Sequence, residues 1–294
     1  MSTPLGHLVI IGVGLIGGSA ARALKKAGAV ERVTGVGRSL ANLEKAKQLG
    51  VVDAFATDIA KAVHDADTVL VSVPMGAYET VFSAMAESLP KKAVITDAGS
   101  TKQHAIDMAH KHLRNTGCFV PAHPIAGTED SGVEASFTEL FQGRLCILTP
   151  GDGTDADALA KIKALWTATG SRVECMSASE HDDLLAAVSH LPHIAAYALV
   201  NAVRKLGSGE NDPFKFAAGG FRDFTRIASS SPAMWRDIAL ANKDSLLHKI
   251  DGLQEELSIL REALEKADGG KLLDDFSKAK QARDNWLAKH GDSL

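Results

Sequence analysis

Three glycines near the start of the chain constrain its fold more than any other feature. Residues 8–23 read LVIIGVGLIGGSAARA, so Gly12, Gly14 and Gly17 form G-x-G-x-x-G between an apolar run and a stretch of good helix formers. The spacing alone is weak; the strand before it and the helix after it give it meaning. The first glycine permits a tight turn, the second lets a ligand approach the backbone, and the third lets the helix pack closely on its strand. A helix that opens this way presents unpaired N–H groups and a positive dipole end to an anion. Gly12, Gly14, Leu15, Ile16 and Gly17 are therefore expected to cradle the pyrophosphate of a dinucleotide.

The rest of the first half fits such a turn. Apolar runs at 8–11, 33–36, 68–73, 94–97, 118–121, 144–148 and 172–175 alternate with longer helical patterns. Continuously apolar strands separated by helices predict a mostly parallel sheet covered on both faces, a doubly wound α/β Rossmann domain. After about residue 178 strand signals stop and helical periodicity takes over at 179–206, 232–267 and 271–289. With 294 residues, about two domains are expected: 1–177 for the dinucleotide, and an all-α domain at 178–294 for substrate and dimerisation. In the latter, Leu246, Ile250, Leu253, Leu257, Leu260 and Leu264 alternate spacings of four and three. That is a seam along one helix face, suited to a neighbouring helix of the same chain or of a second copy.

Bulk properties exclude several classes. A net charge of -4 with scattered basic residues offers no footprint for nucleic acid or an anionic membrane. No apolar run reads as a membrane span, and Leu8–Ile16 lacks a basic leader and a cleavage site, so it reads as a strand rather than a signal peptide. The three cysteines, Cys118, Cys146 and Cys175, are far apart and out of metal-ligand spacing. They read as reduced core thiols of a cytoplasmic protein, with no metal.

The second strand ends in Gly37, Arg38 and Ser39, where NAD-specific sites usually carry an acid for the ribose. Arg38 and Ser39 would instead hold a 2′-phosphate, so the expected cofactor is NADP, with NAD open. Ser72 and Pro74 close the 68–73 run as a loop expected to pass over the cofactor. Two polar segments follow strands, DAGSTK at 97–102 and HPIAGTEDSG at 123–132, where ligands of open α/β sheets bind. The helical half adds SHLPH at 189–193 and GGFRDFTR at 219–226, followed by Pro232 and Trp235. His181-Asp182, an isolated acid beside a histidine, reads as a surface pair.

Taken together, GVGLIGGS, DAGSTK, HPIAGTEDSG, SHLPH and GGFRDFTRIASSSPAMW, in this order from about residue 7 to 240, resemble the prephenate/arogenate (cyclohexadienyl) dehydrogenases of tyrosine biosynthesis. The absence of a recognisable mutase segment or added regulatory domain suggests the monofunctional form. The resemblance implies oxidative decarboxylation of prephenate or arogenate to 4-hydroxyphenylpyruvate or tyrosine, with hydride transfer to NAD(P)+. It implies His123 as the base, a role that suits a group neutral near pH 7. Ser100 becomes the residue that orients base, hydroxyl and nicotinamide, and Arg226, with Arg222 as the alternative, the carboxylate clamp. His193, Thr128 and Glu129 become substrate contacts, Trp235 a pocket wall, and the oligomer a homodimer through the helical domain. Two other readings are a different hydroxyacid dehydrogenase or ketopantoate-type reductase, whose catalytic lysine finds no matching motif around Lys205 or Lys215, and a non-catalytic dinucleotide sensor. A sensor would not need His123, Ser100 and Arg226 together.

Overall fold

The protein is described by a computed structural model covering residues 5–290 apart from 129, 208, 210 and 211. It divides into a compact unit through Lys243 and a smaller one from Asp244 onward. At the centre of the first, six parallel strands run in the order β3-β2-β1-β4-β5-β6: β1 (His7–Ile11), β2 (Arg32–Val36), β3 (Ala54–Ala56), β4 (Thr68–Val71), β5 (Val94–Asp97) and β6 (Phe119–Val120). The order reverses between β1 and β4, which opens a crevice beyond their carboxyl ends.

Alternation along β1 shows how the sheet is held. Leu8 and Ile10 pack in one buried cluster with Leu24, Val33 and Leu70. Val9 and Ile11 pack in another with Val69, Tyr78 and Phe82. Successive strand side chains point to opposite faces, and both faces are covered, so every residue of the run is apolar. Each fully buried aliphatic side chain contributes about 1.5–3 kcal/mol. The cover comes from α1 (Leu15–Lys26), α2 (Leu40–Gln48), α3 (Ile59–Val63), α4 (Tyr78–Met85), α5 (Gln103–His112) and α6 (Ala156–Ala168).

The last runs do not extend this sheet. Pro121 has no amide N–H to continue the ladder beside β5, and the chain starts a second sheet with β7 (Ala122–Pro124). Strand β7 pairs antiparallel with β8 (Leu145–Leu148), and β8 pairs parallel with β9 (Arg172–Cys175). Of the three thiols expected in the core, only Cys146 is buried; Cys118 is half-buried and Cys175 exposed.

The helical half begins with α7 (Ala178–Leu185), a single π turn at Ala186–His190 and α8 (Leu191–Arg204). By length and composition, Ala178–Arg204 is apolar enough to cross a membrane, at mean hydropathy 1.3, although its sequence had not suggested a span. Its buried Asp182 bonds to Lys102 and Gln103, so the helix is part of the folded first unit. Helices α9 (Gly219–Thr225) and α10 (Pro232–Ala241) follow. The periodic stretch 232–267 is not one helix: Asn242 breaks it at φ -116°, ψ 35°. Helix α11 (Lys243–Glu265) and α12 (Gly269–His290) complete the chain, with a reversal at Ala267, φ +51°. Along the seam Leu246 is buried, Ile250, Leu253 and Leu260 are half-buried, and Leu257 and Leu264 are 56% and 66% exposed.

Candidate active site

The dinucleotide end is built from backbone. Gly12 has φ +101°, and a Cβ there would lie 2.1 Å from the Ser72 carbonyl oxygen; a Cβ on Gly17 would lie 2.2 Å from the Gly12 carbonyl oxygen. Both positions exclude any side chain. A Cβ on Gly14 would meet nothing within 4 Å, so here glycine keeps space open beside the start of α1. No side chain caps that helix, which leaves its first N–H groups available to an anion. These features fit a bound pyrophosphate. A cleft of about 420 Å³ adjoins them, lined by Gly14, Leu15, Ile16, Ser72 and Pro74. Arg38 and Ser39 lie outside it. Arg38 is exposed, and the Ser39 hydroxyl accepts the Asn42 N–H, capping α2.

Ser100, His123 and Thr128 line the same cleft. A fully buried ion pair braces the first two. Lys102 Nζ donates to Asp97 Oδ2 at 2.5 Å and to the Ala122 carbonyl at 2.6 Å. Asp97 Oδ2 also accepts from Tyr78 Oη (2.7 Å) and the Gly99 N–H (3.0 Å), while Oδ1 accepts the Ala122 N–H (2.8 Å). The pair thus grips the turn that carries Ser100 and both backbone groups of the residue before His123. Gly99 is required because a Cβ would fall 2.3 Å from Tyr78 Oη. With its charges paired and further hydrogen bonds made to the Ala122 backbone, Tyr78 and Gly99, such a pair tolerates burial.

The histidine-acid pair is not on the surface. His181 is fully buried and Asp182 nearly so, because α7 packs against the start of α5. His123 Nδ1 lies 2.9 Å from His181 Nε2, and His181 Nδ1 lies 2.7 Å from Asp182 Oδ1. The Asp182 carboxylate accepts the N–H groups of Lys102 (2.7 Å) and Gln103 (2.9 Å). Burial alone would raise its pKa; the His181 bond and these two N–H groups outweigh that and hold it below the usual carboxylate value. Burial pushes His123 well below the ordinary imidazole value, and the neighbouring His181, Lys102 and His190 add to the shift. The missed signal was helical spacing: His181 and Leu185 occupy one face of α7 four residues apart, and both are buried.

On the helical side, His193 stacks on Trp235 with ring centroids 3.5 Å apart, and its Nδ1 lies 2.9 Å from the Ser189 carbonyl oxygen. Trp235 is buried; its neighbours Ser231 and Met234 reach the cleft wall. Burial lowers the His193 pKa, with the Arg226 charge a further cause. Arg222, exposed, pairs with Asp223 at 3.0 Å. Neither arginine, nor His193 or Trp235, lines the 420 Å³ cleft itself. Glu129 lies outside the described residues.

A glycine cradle at a sheet switch point, next to a histidine held neutral and a serine on a braced turn, defines a nicotinamide dinucleotide-dependent dehydrogenase. The chain belongs to the prephenate dehydrogenase family. Residues 20–175 match the family model described as "Prephenate dehydrogenase, nucleotide-binding domain" and residues 177–278 the one described as "Prephenate dehydrogenase, dimerization domain". It is 42% identical to the cyclohexadienyl dehydrogenase of Zymomonas mobilis, with 94% of each chain covered. It is 40% identical to the prephenate dehydrogenase of Bacillus subtilis, over 94% of this chain and 75% of that one. Among solved structures, prephenate dehydrogenase from A. aeolicus in complex with hydroxyphenyl propionate and NAD+ superposes with a TM-score of 0.91 at 38% identity, covering 97% of this chain and 99% of that one.

Proposed function

We propose that this chain oxidatively decarboxylates prephenate, arogenate or both, to 4-hydroxyphenylpyruvate or tyrosine. The observation that carries the reading is the placement of His123 and Ser100 on the same cleft as the glycine cradle, in a member of this family. The nicotinamide, when bound, supplies the hydride acceptor. Gly12, Gly14 and Gly17 would admit the pyrophosphate to the N–H groups of Leu15 and Ile16. Ser72 and Pro74 would face the nicotinamide end.

The chain's own part is to hold the ring and manage one proton. His123, neutral and uncharged by burial, accepts the proton of the ring hydroxyl. Ser100, fixed by the Asp97–Lys102 brace, hydrogen-bonds the same oxygen. Arg226 attracts the ring carboxylate, with Arg222 as the alternative clamp. Thr128 lines the cleft, and His193, stacked on Trp235, is the proposed further contact for the substrate's side chain; Glu129, proposed as another, lies outside the described residues.

We read residues 1–177 as the dinucleotide domain and 178–294 as the substrate and dimerisation domain, with a homodimer through the latter and a cytoplasmic location. NADP is the proposed cofactor because Arg38 and Ser39 stand where an acid would favour NAD; NAD remains the alternative, and the A. aeolicus relative was crystallised with it. Assaying prephenate and arogenate with each nicotinamide tests the whole reading. Turnover with CO₂ release and higher kcat/KM with NADP is expected. Absence of turnover with either substrate would refute the activity, and a tenfold or greater preference for NAD would refute the Arg38 argument.

A further inference from the structure

We propose that His181 and Asp182 form a proton relay behind His123, fixing its tautomer and taking up the proton it removes. The proposal rests on the reading of His123 as the base. Asp182 accepts two backbone N–H groups, at 2.7 and 2.9 Å, and is ionised, so its contact with His181 Nδ1 requires a proton on that nitrogen. A neutral imidazole protonated at Nδ1 has a bare Nε2. The bare nitrogen faces His123 Nδ1 at 2.9 Å, so His123 must carry its own proton on Nδ1. Its Nε2 is then bare, on a side chain that lines the cleft, ready to accept. Orientation by the buried carboxylate thus passes through two rings.

The same chain can move charge. The hydroxyl O–H bond breaks as a bond forms between the proton and His123 Nε2; the His123 Nδ1–H bond breaks as His181 Nε2–H forms. The positive charge comes to rest on His181, whose Nδ1 stays bonded to Asp182. No heavy atom need move. The surroundings favour this transfer. Lys102, balanced by Asp97, and His190 both push the His123 pKa down, so neither stabilises an imidazolium there. Asp182 faces His181 directly. After product leaves, the proton returns along the same two bonds and exits through His123 to the cleft.

The bland alternative is that Asp182 only ties α7 to the start of α5 through the Lys102 and Gln103 N–H groups. Long-range ¹⁵N–¹H spectra of the full-length protein labelled in histidine nitrogens separate the two, with His123→Asn and His181→Gln used for assignment. Above the acid limb, His123 and His181 should both be Nδ1–H tautomers; an Nε2–H tautomer at His123 overturns the proposal. His181→Gln keeps an acceptor oxygen for the His123 N–H but no site for the proton. It should retain the Nδ1–H tautomer and lose about 10–10² in kcat with substrate KM nearly unchanged. Asp182→Asn should do the same and move the rising limb of kcat/KM to lower pH, because the anion that favours the protonated pair is gone. Wild-type kcat in His181→Gln, or variants whose only defects are lower thermal stability and weaker NAD(P) binding, would leave a structural tie and refute the relay. Failure of His123 as base would show separately, as full activity in His123→Asn.

Discussion

His123 is an ordinary residue in an unusual setting. Burial and three nearby cationic or titratable groups hold its pKa down, which keeps the ring neutral and able to accept at physiological pH. The sign of the resulting pH dependence follows. As the proposed base, His123 would be inactive when protonated, so kcat/KM should rise with pH through a limb lying below the ordinary histidine value of about 6.5. His123→Asn preserves a hydrogen bond but cannot take the proton. It should lose about 10²–10⁴ in kcat, and the limb should vanish while dinucleotide affinity survives. Stopped assays across pH check both; a variant that keeps the limb would move the base elsewhere. The motif at 123–132 made this histidine visible in the sequence. Lys102 carries no such signal in the sequence, although its bonds to Asp97 and the Ala122 carbonyl brace the segments that hold Ser100 and His123.

The glycine turn and β7 show how much a short element can decide. Gly12 and Gly17 are glycine because the chain itself fills the space a Cβ needs. Gly14 is glycine although its surroundings are empty, as the proposed pyrophosphate site requires. Gly14→Val should therefore fold with near-normal thermal stability and weaken dinucleotide binding by about tenfold or more, roughly 1.4 kcal/mol. Fluorescence titration against melting temperature separates the effects, and unchanged affinity would remove the cradle from the phosphate site. Strand β7 turns away from the parallel sheet at Pro121, and that departure puts His123 at the cleft beside α7. The π turn at Ala186–His190 inserts an extra residue before SHLPH is complete. That turn sets His190 against Asn242 Nδ2 at 3.2 Å, while His193 meets Trp235 one turn later.

In the single chain, Leu257 and Leu264 on α11, and Leu273, Phe276 and Trp286 on α12, stand exposed. So much uncovered apolar surface on two adjacent helices supports the proposed homodimer. Because Leu257 and Leu264 are already exposed within the chain, Leu257→Glu with Leu264→Glu should not unfold it. Each leucine buried at an interface would contribute about 1.5–3 kcal/mol, so the double variant should sediment as a monomer at micromolar concentration where the wild type sediments as a dimer. A wild-type monomer under those conditions would refute the assembly.

Local patterns wrote much of this protein into its sequence. A strand, three glycines and a helix specify the dinucleotide turn because each glycine answers a local steric demand, and alternating apolar runs specify a buried parallel sheet because both faces must be covered. The polar segments at 97–102 and 123–132 are legible because ligands collect at strand ends. Tertiary structure alone decided the rest. Whether the runs at 145–148 and 172–175 join the parallel sheet depends on where Pro121 ends a ladder, which pairing and not propensity determines. His181-Asp182 reads as a surface dipeptide until α7 packs on α5; then burial and two backbone N–H groups 79 and 80 residues away turn it into the far end of the His123 network. Long-range packing sets that dielectric and those partners, and no window of sequence contains both sides of the contact.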